Sequence, residues 1–375
     1  METRRNLAWI VLALLALTLL PGCRRGGAEG FVTKGPDGAV TLAIGATADL
    51  REPVRDFRIG DYFEEIGVIR PTDDLRTLLR TYSFSYYDDR SVLVFSRDRV
   101  VRLSLKDGSF VCEYGRVGRG PHEYIPPFVV SAQDGEVYVS DMNSVCRVYA
   151  GDGGAWLRDI PLTDNGTVYN FYAPLGDGLG VLTYSSLNGK PQMFDIVDAS
   201  GRVVREGTVS GSGKKTALED TQRGSSALSM FSPVQTGGHT CLLSKNLDTL
   251  YRITARQDAA WLIQDPGRYR FPALDEPYQE DSKDLVTLAN VCGDLAFLTI
   301  GVAGGTRMAV YDMQQEKLLY CIFSEDGVDP PQTYGIPYER DGETIYLAPW
   351  MADRDLLICR DRNSDEEFYC FRLKK

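Results

Sequence analysis

One pattern occurs twice in the chain, as SVLVFSRDRVVRLSLKDG at residues 91–108 and as EVYVSDMNSVCRVYAGDG at residues 136–153. At a gapless offset of 45 residues, Val92 aligns with Val137, and an Asp-Gly pair ends both copies. Each copy alternates apolar and polar residues, breaks at a short polar turn, alternates again, and then reaches the Asp-Gly pair. This pattern predicts two β-strands and a hairpin turn that leads into a third strand.

The same unit recurs more loosely four more times, at residues 178–209, 239–265, 295–323 and 343–373, and an extended segment precedes most copies. Six copies of about four strands, spaced by roughly 45–60 residues, are typical of a β-propeller. The sequence therefore predicts an all-β fold, a six-bladed β-propeller with four-stranded antiparallel blades. A pair of β-sandwiches is the alternative, but sandwich strands do not repeat in register.

The last copy is expected to lack one strand, because the chain ends soon after EEFYCFRL at residues 366–373. The segment YFEEIGVIR at residues 62–70 precedes the first copy and has no repeat of its own. We therefore predict that this N-terminal strand forms the outer edge of the last blade and closes the ring, which removes an exposed junction. The propeller domain is predicted to span residues 51–375.

Long connections are expected to gather on one face of the propeller, which makes that face the candidate binding surface. They comprise residues 210–230, 264–284 and 324–335 between copies, and residues 351–364 within the last copy. Glycine-rich residues 301–305 are read instead as a turn between two strands, since no helix follows to form a phosphate site. Aromatic residues in the loops are candidates to line a carbohydrate or peptide groove: Tyr269, Tyr278, Tyr334 and Trp350.

The N-terminus carries a processing signal, predicted to span residues 1–22. Two arginines precede an apolar run of 14 residues at 7–20, shorter than the roughly 20 residues of a membrane span. The run ends in Leu-Pro-Gly-Cys, which resembles the lipobox of bacterial lipoproteins. That resemblance implies cleavage before Cys23 and lipidation of this cysteine, whereas the alternative is an ordinary signal peptide. Residues 23–50 are predicted to contain the lipidated cysteine and a flexible tether.

Composition disfavours several classes of function. Fifty-two acidic residues outnumber 41 Lys and Arg, and a net charge of −11 argues against nucleic-acid binding. The two histidines, His122 and His239, exclude a site with three histidine ligands. We predict no cofactor and no metal site from linear motifs, and the Asp-Gly pairs are read as hairpin turns, although a central ion held by several blades stays open. The seven cysteines after Cys23 lie mostly in apolar runs and are expected to be packed thiols.

The connection between the first two copies contains GRGPHEY at residues 118–124. Its glycines allow unusual backbone conformations and its proline fixes one φ angle, which predicts a rigid corner at Gly118, Gly120 and Pro121. Arg119 and Glu123 are expected either to pair or to bond free backbone groups of the turn. The alternative is a ligand-facing patch, for which the candidate residues are Arg119, His122, Glu123 and Tyr124, with Trp350 from the loop aromatics.

The motif resembles the G-R-G-P-x-E-Y hallmark of the six-bladed β-propeller lipoproteins of Bacteroidales-type bacteria. The chain departs from that hallmark at His122, where glycine is common in the family. The resemblance implies a lipid anchor in the outer membrane of a Gram-negative bacterium, on the periplasmic side or at the cell surface. Relatives at the surface tend to have acidic residues after the lipidated cysteine, whereas Arg24 and Arg25 follow it here.

Two classes of function are carried forward. The first is a binding or scaffolding module for an outer-membrane protein, a glycan or a peptide. The second is a hydrolase or lyase with a central acidic or metal-assisted site. No G-x-S-x-G or H-E-x-x-H pattern occurs around either histidine, which favours the binding module and assigns no catalytic residue.

Overall fold

The computed structural model of the protein describes residues 30–70, 83–96, 98–126, 128–141, 145–162, 169–185, 194–207, 232–243, 249–269, 286–302, 305–325, 334–364 and 367–375. The predicted signal peptide, Cys23 and the insertion at 210–230 lie outside the described residues, as does most of the other two connections between copies. No helix in the described ranges is long and apolar enough to cross a membrane.

The described chain begins with short elements that precede the first blade. They are β1 (Val32–Lys34), β2 (Val40–Leu42), α1 (Ile44–Ala48), β3 (Val54–Arg55), α2 (Ile59–Tyr62) and β4 (Phe63–Ile69).

Twenty-four further strands form six sheets in chain order, and these sheets are the six blades. Blade one contains β5 (Ser83–Tyr86), β6 (Ser91–Phe95), β7 (Val100–Ser104) and β8 (Phe110–Glu113); blade two contains β9 (Phe128–Gln133), β10 (Glu136–Asp141), β11 (Val145–Ala150) and β12 (Trp156–Pro161); blade three contains β13 (Tyr169–Gly176), β14 (Leu179–Ser185), β15 (Phe194–Asp198) and β16 (Val203–Gly207). Blade four contains β17 (Ser232–Thr236), β18 (His239–Leu243), β19 (Thr249–Ile253) and β20 (Asp258–Gln264); blade five contains β21 (Val286–Cys292), β22 (Leu295–Val302), β23 (Gly305–Asp312) and β24 (Lys317–Glu325); blade six contains β25 (Ile336–Arg340), β26 (Glu343–Asp353), β27 (Leu356–Asp361) and β28 (Phe368–Leu373).

Alternation of side chains along each strand builds the core between the blades. On β10, Val137 and Val139 pack against blade one, whereas Tyr138 between them packs against blade three. Because both faces of a blade are covered by neighbours, successive residues of its inner strands are buried. The buried apolar residues accordingly fall into clusters at the six junctions between neighbouring blades. The predicted six-bladed β-propeller is confirmed.

The repeated Asp-Gly pairs form the predicted hairpin turns. Gly108 and Gly153 have φ angles of 74° and 85°, which place both in the left-handed region. β22 and β23 pair antiparallel up to Val302 and Gly305, so the segment at 301–305 connects two strands of one sheet, as expected, and its residues 303 and 304 lie outside the described residues. The seven described cysteines are all buried free thiols, as expected from their apolar surroundings.

The ring closes through the N-terminal strand, as predicted. β4 pairs antiparallel with β28, with Phe63 opposite Leu373 and Ile69 opposite Phe368. β26 is the innermost strand of blade six, since it contacts the first strands of blades one, four and five. β26, β27 and β28 thus occupy the first three positions of the blade, and β4 supplies the fourth.

Two details of the last copy differ from the prediction. Residues 351–364 are not an insertion, because they contain the end of β26 and the whole of β27. The long β26 has a bulge between Pro349 and Met351, and its first half pairs with β25 as an extra hairpin. Ile336 and Leu347 of this hairpin are buried with residues of β24, so the hairpin fills space between blades five and six.

The predicted tether at residues 23–50 extends too far toward the C-terminus. β1 and β2 form a hairpin whose second strand pairs in parallel with β20, the outer strand of blade four. α1 packs behind it between blades four and five, where the Tyr311 hydroxyl donates to Thr47 Oγ1 at 2.7 Å. Next, β3 pairs with β24 of blade five. The segment from β1 to β4, which we call the N-terminal belt, therefore runs along the outer edges of blades four, five and six.

Gly67 allows the closing strand to touch blade one as well. It lies on β4 opposite Cys370, and a Cβ at this position would collide with the backbone of Leu105 and Lys106. The Val68 N–H donates to the Lys106 carbonyl at 3.3 Å across the same contact. Through this glycine, β4 joins the last blade to the first.

We expect Gly67→Ala to lower the free energy of unfolding by about 1–3 kcal/mol, because the added methyl group overpacks a contact between backbones that cannot move apart. Urea denaturation followed by tryptophan fluorescence measures the change.

Gly60→Ala is the matched control, since a Cβ at Gly60 would meet no other atom within 4 Å and alanine favours the α2 helix. Equal stability of the two variants would contradict a tight contact at Gly67.

Candidate functional site

The GRGPHEY segment folds around the carboxylate of Glu123. The Gly120 N–H donates to Glu123 Oε2 at 2.6 Å, and the Arg116 guanidinium pairs with Oε1. The Gly120 N–H, with Arg116, holds the pKa of the Glu123 carboxyl below its usual value. The loop is closed by the Gly118 N–H, which donates to the Tyr124 carbonyl at 3.0 Å. Arg116 therefore takes the place that the sequence analysis considered for Arg119, whose side chain is exposed.

The two glycines are needed for space rather than for unusual φ angles. Neither Gly118 nor Gly120 is in the left-handed region. A Cβ on Gly118 would collide with the Glu123 carboxylate, and one on Gly120 would come within 3.0 Å of it. The carboxylate thus occupies the volume that side chains at these two positions would need.

His122 has the left-handed conformation of this turn, directly after Pro121. Its φ angle is 63°, a value that favours glycine, and glycine is the residue common at this position in the family that the motif resembles. The His122 carbonyl accepts a hydrogen bond from the Tyr149 hydroxyl at 2.8 Å, and its ring stacks on Trp156 of β12 with centroids 3.7 Å apart. The segment is thereby fixed to the outer strands of blade two.

Tyr124 does not face a ligand. Its side chain is completely buried and packs edge-on against Phe128 in the junction between blades one and two. Of the four motif candidates, only Arg119 and His122 have exposed side chains. The geometry favours the rigid corner over the ligand-facing patch.

A separate cleft of about 430 Å³ opens between blades five and six. Its first wall is the face of blade five toward blade six. Cross-strand pairs place Thr299 beside Met308 and Thr306 beside Ser324 on this face. Below them, Phe297 and Ile322 continue into the apolar core between the two blades. The cleft therefore begins where the junction changes from apolar to polar side chains.

The second wall comes from blade six and the segment before it. Trp350 lies next to the bulge of β26 and is 38% exposed. Tyr334 precedes Gly335, whose carbonyl accepts a hydrogen bond from the Tyr320 hydroxyl at 2.6 Å. The guanidinium of Arg362 lies over the Tyr334 ring, 5.3 Å from its centroid. Tyr334, Trp350 and Arg362 all line the cleft.

The Tyr334 hydroxyl is a polar group without a hydrogen-bond partner in the described part of the chain. The residue is 6% exposed, and burial raises its pKa to about 12. The phenol thus keeps its proton at neutral pH and can donate a hydrogen bond. Its oxygen is itself buried, and the buried Tyr124 hydroxyl likewise has no hydrogen-bond partner in the described part of the chain, so neither phenol by itself marks a ligand site.

The cleft brings together two of the aromatic residues that the sequence analysis selected, Tyr334 and Trp350. The other two are elsewhere: the Tyr269 hydroxyl donates to Asp49 in the N-terminal belt, and Tyr278 lies outside the described residues. Sequence reasoning missed Arg362 and the polar residues of blade five. In the sequence, the blade-five residues could have been identified only as polar residues at alternate positions near the ends of predicted strands.

The propeller axis shows no metal centre in the described ranges, where no group of three or more His, Cys, Asp or Glu side chains could hold an ion. The buried carboxylate of Asp353 accepts a hydrogen bond from the Gly238 N–H at 2.7 Å. Burial raises the pKa of this carboxyl. Asp353 thus ties the innermost strand of blade six to blade four.

Comparison with solved structures supports the fold. The structure of a candidate exported protein from Bacteroides fragilis superposes with a TM-score of 0.59 at 12% identity, over 86% of this chain and 98% of the other. Two other solved structures are more distant. Raptor from Chaetomium thermophilum has a TM-score of 0.39 at 10% identity, over 84% of this chain and 29% of the other. BamB from Moraxella catarrhalis has a TM-score of 0.35 at 11% identity, over 83% of this chain and 98% of the other. No family model matches the chain, and no curated protein does.

We expect His122→Gly to be more stable than His122→Ala by about 1–2 kcal/mol, because both lose the stack on Trp156 but only glycine adopts the positive φ angle without strain. Thermal and urea denaturation of the two variants measure the difference. If alanine were tolerated as well as glycine, the left-handed turn at this position would be wrong.

Proposed function

We propose that the protein is a membrane-tethered binding module of the bacterial cell envelope. The observation that carries this proposal is the cleft between blades five and six, which combines an exposed indole, a cation and several hydroxyl and amide side chains. Concave sites with a few convergent polar groups are typical of ligand binding. The cleft lies on a rigid scaffold, because its walls are paired strands of two blades.

The tether and the location follow from the N-terminal sequence. The lipobox-like Leu-Pro-Gly-Cys ending at Cys23 supports a lipid anchor, and the GRGPHEY motif supports membership of the lipoprotein family that it resembles. The Bacteroides fragilis protein with this fold is itself described as a candidate exported protein, which supports an envelope location. We place the propeller at the outer membrane, where it would present the cleft to a protein, glycan or peptide.

We expect Thr299→Trp to reduce the partner recovered in a pull-down from native membranes by at least about tenfold. Thr299 is an exposed residue of the cleft wall, and an indole there fills the space that a ligand would use. A tenfold loss corresponds to about 1.4 kcal/mol of binding free energy. Quantitative mass spectrometry of the recovered material measures it.

Thr344→Trp is the matched control, because Thr344 is equally exposed on β26 but does not line the cleft. It should retain the wild-type recovery. Equal recovery with all three proteins would place binding elsewhere and overturn the role of the cleft.

We expect Cys23→Ala to abolish incorporation of a radiolabelled fatty acid, because the thiol that would carry the diacylglycerol is absent. Labelling in growing cells, followed by immunoprecipitation, measures it. Cys112→Ala serves as the control, since this cysteine lies within the propeller and should leave labelling unchanged. Labelled Cys23→Ala protein would contradict a lipid anchor at this residue.

A further inference from the structure

The polar groups of the cleft suit a ligand rich in hydroxyl groups. Asn290, Thr299, Thr306 and Ser324 line the blade-five side, and each can both donate and accept hydrogen bonds. The strands that carry the two threonines, β22 and β23, are paired on both sides. Their backbone groups are therefore used within the sheet. On this part of the wall a ligand meets side chains.

The opposite wall supplies aromatic surface. Trp350 is 38% exposed, whereas Tyr334 lines the cleft with a ring that is almost completely buried. An apolar ring face next to several hydroxyl and amide groups fits a pyranose, whose faces carry C–H groups and whose rim carries hydroxyl groups. A volume of about 430 Å³ falls in the range of small-molecule sites.

Arg362 sets the charge of the cleft. Its side chain is exposed, and no carboxylate among the described residues pairs with its guanidinium. The described lining contains no Asp or Glu, although the whole chain has a net charge of −11. A single available guanidinium fits one carboxylate, with which it can form two parallel hydrogen bonds.

We propose that this cleft binds a sugar acid, a pyranose unit that carries one carboxylate. The carboxylate pairs with Arg362, the Trp350 ring packs against the pyranose, and the threonine, serine and asparagine side chains bond the ring hydroxyl groups. The inference rests on the proposed binding function and names the ligand class of the same cleft.

Isothermal titration calorimetry of the full mature chain in detergent tests this assignment. The probes are glucuronate and galacturonate, with glucose and galactose as neutral partners and a short peptide with a free carboxyl terminus as the competing class. We expect at least one of the two sugar acids to bind about ten- to a hundredfold more tightly than its neutral partner, as a charge-assisted pair would give. The preference should weaken as salt is added.

Two variants test the role of the charge. Arg362→Gln should remove the preference for the acid over the neutral sugar. Arg256→Gln removes the same charge from an exposed turn of blade four and should bind as the wild type does.

Equal affinity for acidic and neutral sugars, or binding of the peptide alone, would overturn the inference. If no sugar binds but Thr299→Trp still abolishes partner capture, the sugar-acid assignment fails and the binding function stands. If sugars do not bind and capture is also insensitive to Thr299→Trp, both proposals fail.

Discussion

The pairing of β4 with β28 is the constraint on which the ring depends, because it joins residues from near the two ends of the described chain in one sheet. Without it, blade six would have three strands outward from the axis, and the edge of β28 would be open. The same strand contacts blade one at Gly67, so β4 holds together the last blade and the first. Closure sets the positions of all six blades, because each junction is a packed interface between two neighbours.

The N-terminal belt extends this closure to the side of the ring that carries the cleft. Its strands add to the outer edges of blades four, five and six in succession, and Phe57 and Ile59 are buried with residues of blades five and six. The N-terminal belt, the apolar core and the β25–β26 hairpin thus together fix the two walls of the cleft relative to each other. A site between two blades keeps its geometry only if the blades keep their spacing, and the belt and the hairpin both contribute to that spacing here.

The propeller could be predicted because its signal is local and repeated: strands of alternating apolar residues separated by short turns recur in each copy, and Asp-Gly turns mark several of them. The sequence also predicted the position of β4, because this strand belongs to no repeat and the last copy was one strand short. β1 pairs with the neighbouring β2, but β2 and β3 are only two or three residues long and pair with strands about 220–270 positions away, so no local pattern reveals where they attach. β27 was missed because a bulge at Pro349 and Met351 interrupts the alternation before it. The cleft depends on Arg362 meeting Tyr334, a contact that only the closed blade creates.

The motif and the cleft show that the most conspicuous sequence motif need not be the functional site. GRGPHEY is conspicuous because glycine, proline and charge are concentrated in it, and its glycines and Glu123 hold a turn against blade two, whereas the Arg119 side chain is exposed. The cleft has no motif, since its lining comes from all four strands of blade five, from β26, and from the segments that contain Tyr334 and Arg362. Yet it presents an exposed guanidinium that pairs with no carboxylate of the described residues, next to an exposed indole and several hydroxyl groups, whereas the Glu123 carboxylate is fully engaged within its loop. A concave surface lined by accessible polar and aromatic side chains, rather than unusual composition, is therefore the better guide to where this propeller meets a ligand.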